Sequence, residues 1–171
     1  DIINKLKAEK IKILFICNPN NPTGTRLEPE IILNLAKQFP ETLIVVDELY
    51  EAFTGDSLLP ILDLEHIKNI VILRSLAKTA GLAGLRIGFA IGNSEVISRV
   101  IRVTGPYDVN TIAVTAAFAA LKDQAYTDKY VSQVLQARKW IQNKLIKHDV
   151  KHHMEGGNYF LLWPKGNPEN V

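Results

Sequence analysis

Three short, almost unbroken apolar runs constrain this chain more than any other feature: residues 11–17 (IKILFIC), 43–46 (LIVV) and 70–73 (IVIL). A strand wetted on one side alternates apolar and polar residues, whereas one that is apolar throughout is covered on both faces, as in a parallel sheet. Each run ends in polar residues: Asn18-Pro19-Asn20-Asn21-Pro22-Thr23-Gly24, Asp47-Glu48, and Ser75. Between the first two, Glu28-Pro29-Glu30 opens a helix, with proline in its first turn and carboxylates at its positive end. Ile31, Ile32, Leu35, Ala36 and Phe39 form its apolar stripe, and Pro40 stops it. Strand, helix, strand, connection, strand is the order of a parallel sheet covered by helices. Ligands of such sheets gather outside the carboxyl ends of the strands. The three polar tails are therefore expected neighbours, with their side-chain amides facing outward from the first turn.

Residues 69–92 (NIVILRSLAKTAGLAGLRIGFAIG) concentrate the chemistry. Ser75 and Lys78 follow the third strand in a turn of Ala, Gly and Leu that offers no carboxylate. Desolvation there favours the neutral amine and makes Lys78 a candidate nucleophile or imine former. A fourth strand is expected from Leu85, antiparallel because residues 75–84 are too short for a crossover helix. A period of two puts Leu85, Ile87, Phe89 and Ile91 on one face, and Arg86, Gly88, Ala90 and Gly92 on the other. The small residues beside Arg86 leave room for an anion, most economically a phosphate.

Downstream, Asn93 and Ser94 can cap a helix carrying Val96, Ile97, Val100 and Ile101. An Ala-rich helix follows over 111–121, a longer one over 127–147, and a last strand over 158–163. Residues 123–127 are the expected boundary between a sheet domain and a smaller one. With 47% hydrophobic and 22% charged residues, 171 residues suffice for a packed core. A net charge of +2 without runs of one sign gives no electrostatic reason for nucleic acid or membrane binding. The single Cys17 excludes an internal disulfide and suits a reducing, cytoplasmic setting. His148, His152 and His153 cluster without a completing ligand, so no metal site is expected and a solvated helix end is the reading. Gly81-x-x-Gly84 does not make a dinucleotide fingerprint. Opening on Asp1 and closing on Val171, the sequence is expected to be an internal piece of a longer protein.

Taken singly, the polar residues at the rim have ordinary structural readings. Lys78 can be a loop lysine, Arg86 an ion-pair partner, Asp47 an N-cap, Tyr50 a core aromatic and Asn21 a turn residue. Taken together they supply an amine, an anion clamp, a hydroxyl-bonding pair and a carboxylate. That set suits a cofactor with an aldehyde, a phosphate, a phenolic oxygen and a basic ring nitrogen.

The order Asn-Pro-Thr-Gly (Asn21 to Gly24), Asp-x-x-Tyr (Asp47, Tyr50), Ser-x-x-Lys (Ser75, Lys78) and Arg86 resembles the fold-type I, class I/II aminotransferases, which use pyridoxal phosphate. The strings NPNNPTG, VVDELYEAF, SLAKTAGLAGLRIGF and GPYDVN are most similar to the histidinol-phosphate aminotransferase branch. The resemblance implies an α/β three-layer sandwich with a mostly parallel sheet, one antiparallel strand, and the start of a smaller α+β domain. Residues 1–122 would be the C-terminal part of the large cofactor domain, and 123–171 a linking helix and the beginning of the small domain.

It further implies that Lys78 carries pyridoxal 5'-phosphate as an imine and later moves the Cα proton. Asp47 would hold the pyridine nitrogen protonated, Tyr50 and Asn21 would bond the phenolic oxygen, and Ser75 and Arg86 would bind the phosphate. Two departures stand out: Ala77 replaces a second phosphate-binding serine, and Leu49 replaces a commoner alanine under the ring. The family's upstream phosphate loop and downstream carboxylate-gripping arginine lie outside these residues, so the segment alone is expected to be inactive. Intact relatives are homodimers that pair an amino donor with a 2-oxo acid acceptor. The implied activity is histidinol-phosphate:2-oxoglutarate transamination. Rival readings are an O-phosphothreonine-type decarboxylase, another amino acid aminotransferase, or a regulator with an aminotransferase-like domain.

Overall fold

The computed structural model describes residues 2–167 and 169. Its main sheet runs in the order β1 (Ile13–Cys17), β2 (Leu43–Asp47), β3 (Ile70–Ser75), β4 (Gly88–Gly92). The first three strands are parallel and β4 is antiparallel to β3, as the short link between them requires. Cys17 lies opposite Asp47 and Asp47 opposite Leu73, so the carboxyl ends of the parallel strands finish level on one rim.

Ile16, Ile44, Val46, Ile70 and Ile72 alternate onto one face of the sheet. There they pack with Ile32, Leu35 and Ala36 of α2 (Pro29–Gln38), Leu6 of α1 (Ile2–Ala8) and Leu58. Of the helix stripe read from the sequence, Ile32, Leu35 and Ala36 are buried and Phe39 packs against them, whereas Ile31 is 48% exposed. Asn69, just before β3, ties this layer together. Its side-chain amide donates to the carbonyls of Ala36, Phe39 and Thr42 at 3.0–3.1 Å, joining the end of α2 to the entry of β2.

Two expectations for the strands change. β1 is an outer strand with one open face, where Ile13 is 51% and Phe15 72% exposed. Phe15 shares its row with Val45 and Val71, which are buried because they have neighbours on both sides. The fourth strand begins at Gly88 rather than Leu85. Residues Ala83–Leu85 wind into a 3₁₀ turn, and Arg86 adopts the left-handed conformation with φ 54°. The alternation of Leu85, Arg86, Ile87 and Gly88 imitates a strand, but the chain is still turning there.

Helices α3 (Ser94–Ile101) and α4 (Thr111–Lys122) are capped by Asn93 and Asn110, whose side chains accept from Glu95 N and Ala113 N. Asp123 closes α4 through its own N–H. It also opens α5 (Gln124–Lys147) by accepting from Tyr126 N at 3.1 Å. A second antiparallel sheet joins β5 (Lys151–His153) to β6 (Leu161–Trp163). The expected strand over 158–163 shortens to its apolar end. The histidine cluster divides: His148 ends α5, while His152 and His153 lie in β5, where His152 donates to the Val150 carbonyl at 2.8 Å.

Candidate active site

The turn after β1 is held from inside. Asn18 is buried, and its side chain accepts from Leu27 N at 2.7 Å and donates to Leu27 O at 3.0 Å. Asn20 N donates to Thr25 O and Gly24 N to Asn20 O, which closes the loop. Asn18 therefore faces the interior and Asn20 bonds the Thr23 hydroxyl within the turn, contrary to the outward amides expected of both. Asn21 alone reaches across the rim, where its amide donates to the Tyr50 hydroxyl at 2.9 Å. Gly24 has φ +75°, and a Cβ there would stand 2.9 Å from Gly156 N, so conformation and space both demand glycine.

Tyr50 is the meeting point of the rim. It is buried, and Lys78 Nζ lies 5.6 Å from its ring centre. Lys78 is itself half-buried, with no ion-pairing carboxylate among the described residues. Asp47, the last residue of β2, is half-buried. Its Oδ1 accepts from Leu49 N at 3.0 Å, leaving Oδ2 for another donor.

Ser75 and Arg86 share a hollow of about 220 Å³ walled also by Ala77, Ala83, Ile87 and Gly88. Ala and Gly at three of these places create the space, and the left-handed turn brings the guanidinium to it. Arg86 spends one N–H on Ala83 O at 3.1 Å and keeps the others free. The Ser75 hydroxyl donates to Ile87 O and accepts from Ala77 N, so it must swing to meet a bound anion.

Just behind the rim lies a charged cluster that local sequence patterns did not suggest. The Glu48 side chain is fully buried beside Asp47. It accepts from Leu58 N at 2.7 Å, Ser57 Oγ at 3.1 Å and Arg74 Nε at 2.9 Å. Arg74 also pairs with Glu51 and donates to Ser57. Burial pushes the Glu51 carboxyl up, and the Arg74 charge opposes that rise. The cluster locks the end of β2 to the end of β3, between Asp47 and Ser75.

Tyr159 is a further residue that the sequence reading passed over. Its hydroxyl donates to Asn20 O at 2.6 Å, and its ring meets Tyr50 edge to face at 4.9 Å. Burial pushes its phenol up to about 12, with further upward effects from Tyr50 and Cys17 and a downward one from Arg138. The available signal was the Gly156-Gly157 pair just ahead of it, since adjacent glycines mark a close backbone approach.

Over residues 1–170 the chain matches the family model of aminotransferase class I and II. It is 42% identical over 124 residues to the histidinol-phosphate aminotransferase of Caldicellulosiruptor saccharolyticus, covering 71% of this chain and 35% of that enzyme. It is 35% identical to that of Desulfotalea psychrophila, across 95% of this chain and 45% of the enzyme. The fold superposes on the crystal structure of histidinol-phosphate aminotransferase from Sinorhizobium meliloti in complex with pyridoxal-5'-phosphate. The TM-score is 0.86 at 26% identity, across 94% of this chain and 44% of that one. L-threonine-O-3-phosphate decarboxylase from Porphyromonas gingivalis superposes with a TM-score of 0.79 at 32% identity, over 91% and 48% of the two chains. The chain thus spans less than half the length of these relatives. Its α/β architecture, with a mostly parallel sheet and one antiparallel strand, is theirs. With the family model matched from one end to the other, the chain belongs to the class I and II aminotransferases.

Proposed function

We propose that the protein is a pyridoxal-phosphate-dependent aminotransferase that passes the amino group of histidinol phosphate to 2-oxoglutarate, in histidine biosynthesis. The observation that carries this reading is the convergence on Tyr50. Asn21 donates to its hydroxyl and Lys78 stands 5.6 Å from its ring, on the rim that also ends in Asp47 and Ser75.

The residues present fit that cofactor. The 220 Å³ hollow between Ser75 and Arg86 has room for a phosphate, and Arg86 retains free N–H donors for it. Tyr50 accepts from Asn21, so its own proton is free to meet a phenolic oxygen. Asp47 has a free carboxylate oxygen for a protonated ring nitrogen. When bound, pyridoxal phosphate supplies an electron sink next to the substrate's Cα.

Lys78 would hold the cofactor at its aldehyde carbon through its amine, and the same amine is the base that would move the substrate's Cα proton. Asp47 keeps a proton on the ring nitrogen, Asn21 and Tyr50 orient the phenolic oxygen, and Ser75 and Arg86 anchor the phosphate. The Ala77 N–H beside the hollow donates to Ser75 Oγ, and Ala77 brings no second hydroxyl. Residues 1–122 would form part of a cofactor domain, and 123–171 a linking helix and part of a smaller one. A homodimer in the cytoplasm completes the reading. It is supported by the exposed Ile112, Phe118 and Leu121 on α4 and by the water-soluble substrates.

Product analysis on the full-length protein tests this. Loss of histidinol phosphate matched by glutamate formation supports it. A second reading, O-phosphothreonine decarboxylation, is favoured by the superposition on the Porphyromonas gingivalis enzyme. Release of carbon dioxide with no amino group reaching 2-oxoglutarate would select it instead.

A further inference from the structure

We propose that Tyr159 is a positioning residue for the phenolic-oxygen pair Asn21–Tyr50, and that it couples the segment beyond α5 to the cofactor's basicity. The inference rests on the functional reading above and adds a residue that the family motifs do not contain.

Segment 156–159 grips the turn after β1 at two points. Tyr159 donates to Asn20 O at 2.6 Å, and Gly156 N donates to Gly24 O at 3.0 Å. Asn21 lies between these anchors, so its amide is aimed at Tyr50 by contacts that come from the far end of the chain. The grip is tight, since a Cβ on Gly156 would stand 2.6 Å from Pro19 Cβ and 2.9 Å from Gly24 O. Tyr159 also fixes the other partner, because its ring lies edge to face with Tyr50 at 4.9 Å and 84°. One side chain therefore sets both members of the pair. Its hydroxyl is a donor throughout the neutral range, as any phenol is, and burial extends this upward by holding the phenol up to about 12.

Hydrogen bonds to the phenolic oxygen stabilise its negative charge and make the neighbouring lysine-bound nitrogen less basic. Loosening the pair should make that nitrogen hold its proton more tightly. In the full-length holoenzyme, Tyr159→Phe keeps the ring and removes the bond to Asn20. The pH midpoint of the cofactor's visible absorbance change should rise by roughly half a unit, about threefold in the proton dissociation constant. In the cofactor-free protein, the Gly24 amide should exchange with solvent about tenfold faster. Gly156→Ala displaces the same segment and should move both quantities the same way, which keeps the test decisive if Tyr159→Phe fails to fold. Asn21→Ala is the control for the pair itself. An unchanged midpoint and unchanged exchange in Tyr159→Phe, with Asn21→Ala still raising the midpoint, overturn this inference and leave the functional reading standing. A midpoint indifferent to Asn21→Ala as well removes the functional reading, and this inference with it.

Discussion

The side-chain amide of Asn21 donates to the hydroxyl of Tyr50 at 2.9 Å across 29 residues of sequence. That bond joins the turn after β1 to the turn after β2, and it leaves the Tyr50 proton free for a third atom. Lys78 comes to the same ring from the turn after β3. Three connections that are distant in sequence thus meet at one phenol.

Replacing the lysine should stop the reaction and spare the scaffold. Lys78→Ala in the full-length enzyme is expected to lower kcat by about 10²–10⁴ or more, the worth of a positioned proton-transfer group. Far-UV circular dichroism should not change. Transamination at the wild-type rate in this variant would falsify the assignment of Lys78.

Arg86 should matter for cofactor retention more than for folding, since it is exposed and its only described side-chain bond is to Ala83 O. Arg86→Ala is expected to remove charge-assisted bonds worth about 1.5–3 kcal/mol, a loss of roughly 10–100-fold in pyridoxal phosphate affinity. Titration of the cofactor-free enzyme by absorbance reads it, and Arg86→Lys should recover only part because its ammonium lacks the planar fork.

The Glu48–Arg74 pair governs stability instead. Glu48→Gln removes the fully buried carboxylate of the cluster and leaves Glu51 as the counter-charge of Arg74, and removing one partner of a buried pair costs about 3–5 kcal/mol. The Arg74 side chain retains 22% exposure, which points to the lower end of that range. Urea unfolding of the single variant should show this loss, and Glu48→Gln combined with Arg74→Met should recover part of it. A double variant less stable than either single would contradict the pairing.

Alkaline pH should loosen the segment around Tyr159. Its phenol ionises near 10 when unfolded and is pushed up to about 12 in the fold. The folded state therefore holds more protons between those values, and stability falls as pH rises through this window, having been fully present below it. Thermal midpoints measured from pH 9 upward should decline less in Tyr159→Phe than in wild type. Parallel declines in the two proteins would count against a buried phenol.

The parallel order of β1, β2 and β3 could be read from the sequence because each run is apolar at nearly every position, the pattern of strands in a parallel sheet, although β1 keeps that pattern with one face open. The rim residues were legible for a related reason: each follows directly on such a run, so the topology gathers them. Arg86 was assigned to the right neighbourhood but the wrong backbone state, since the alternation of residues 85–88 imitates a strand while the chain is still turning. Glu48 and Arg74 were not paired in advance because adjacency of β2 and β3 is a property of the sheet and not of either segment. Tyr159 lies 139 residues from Asn20, and the Gly156-Gly157 pair ahead of it marks a close approach without saying which segment approaches. β5, with Lys-His-His, carries no apolar alternation at all.

Asp123 terminates one helix and begins the next with no residue to spare between them. Such a knuckle permits bending but no lengthening. A swing of the 24-residue α5 must pivot within a single peptide, and its far end, about 36 Å away at 1.5 Å per residue, travels furthest. Lengthening this joint by even one glycine should uncouple the lever from its fulcrum while leaving both helices intact.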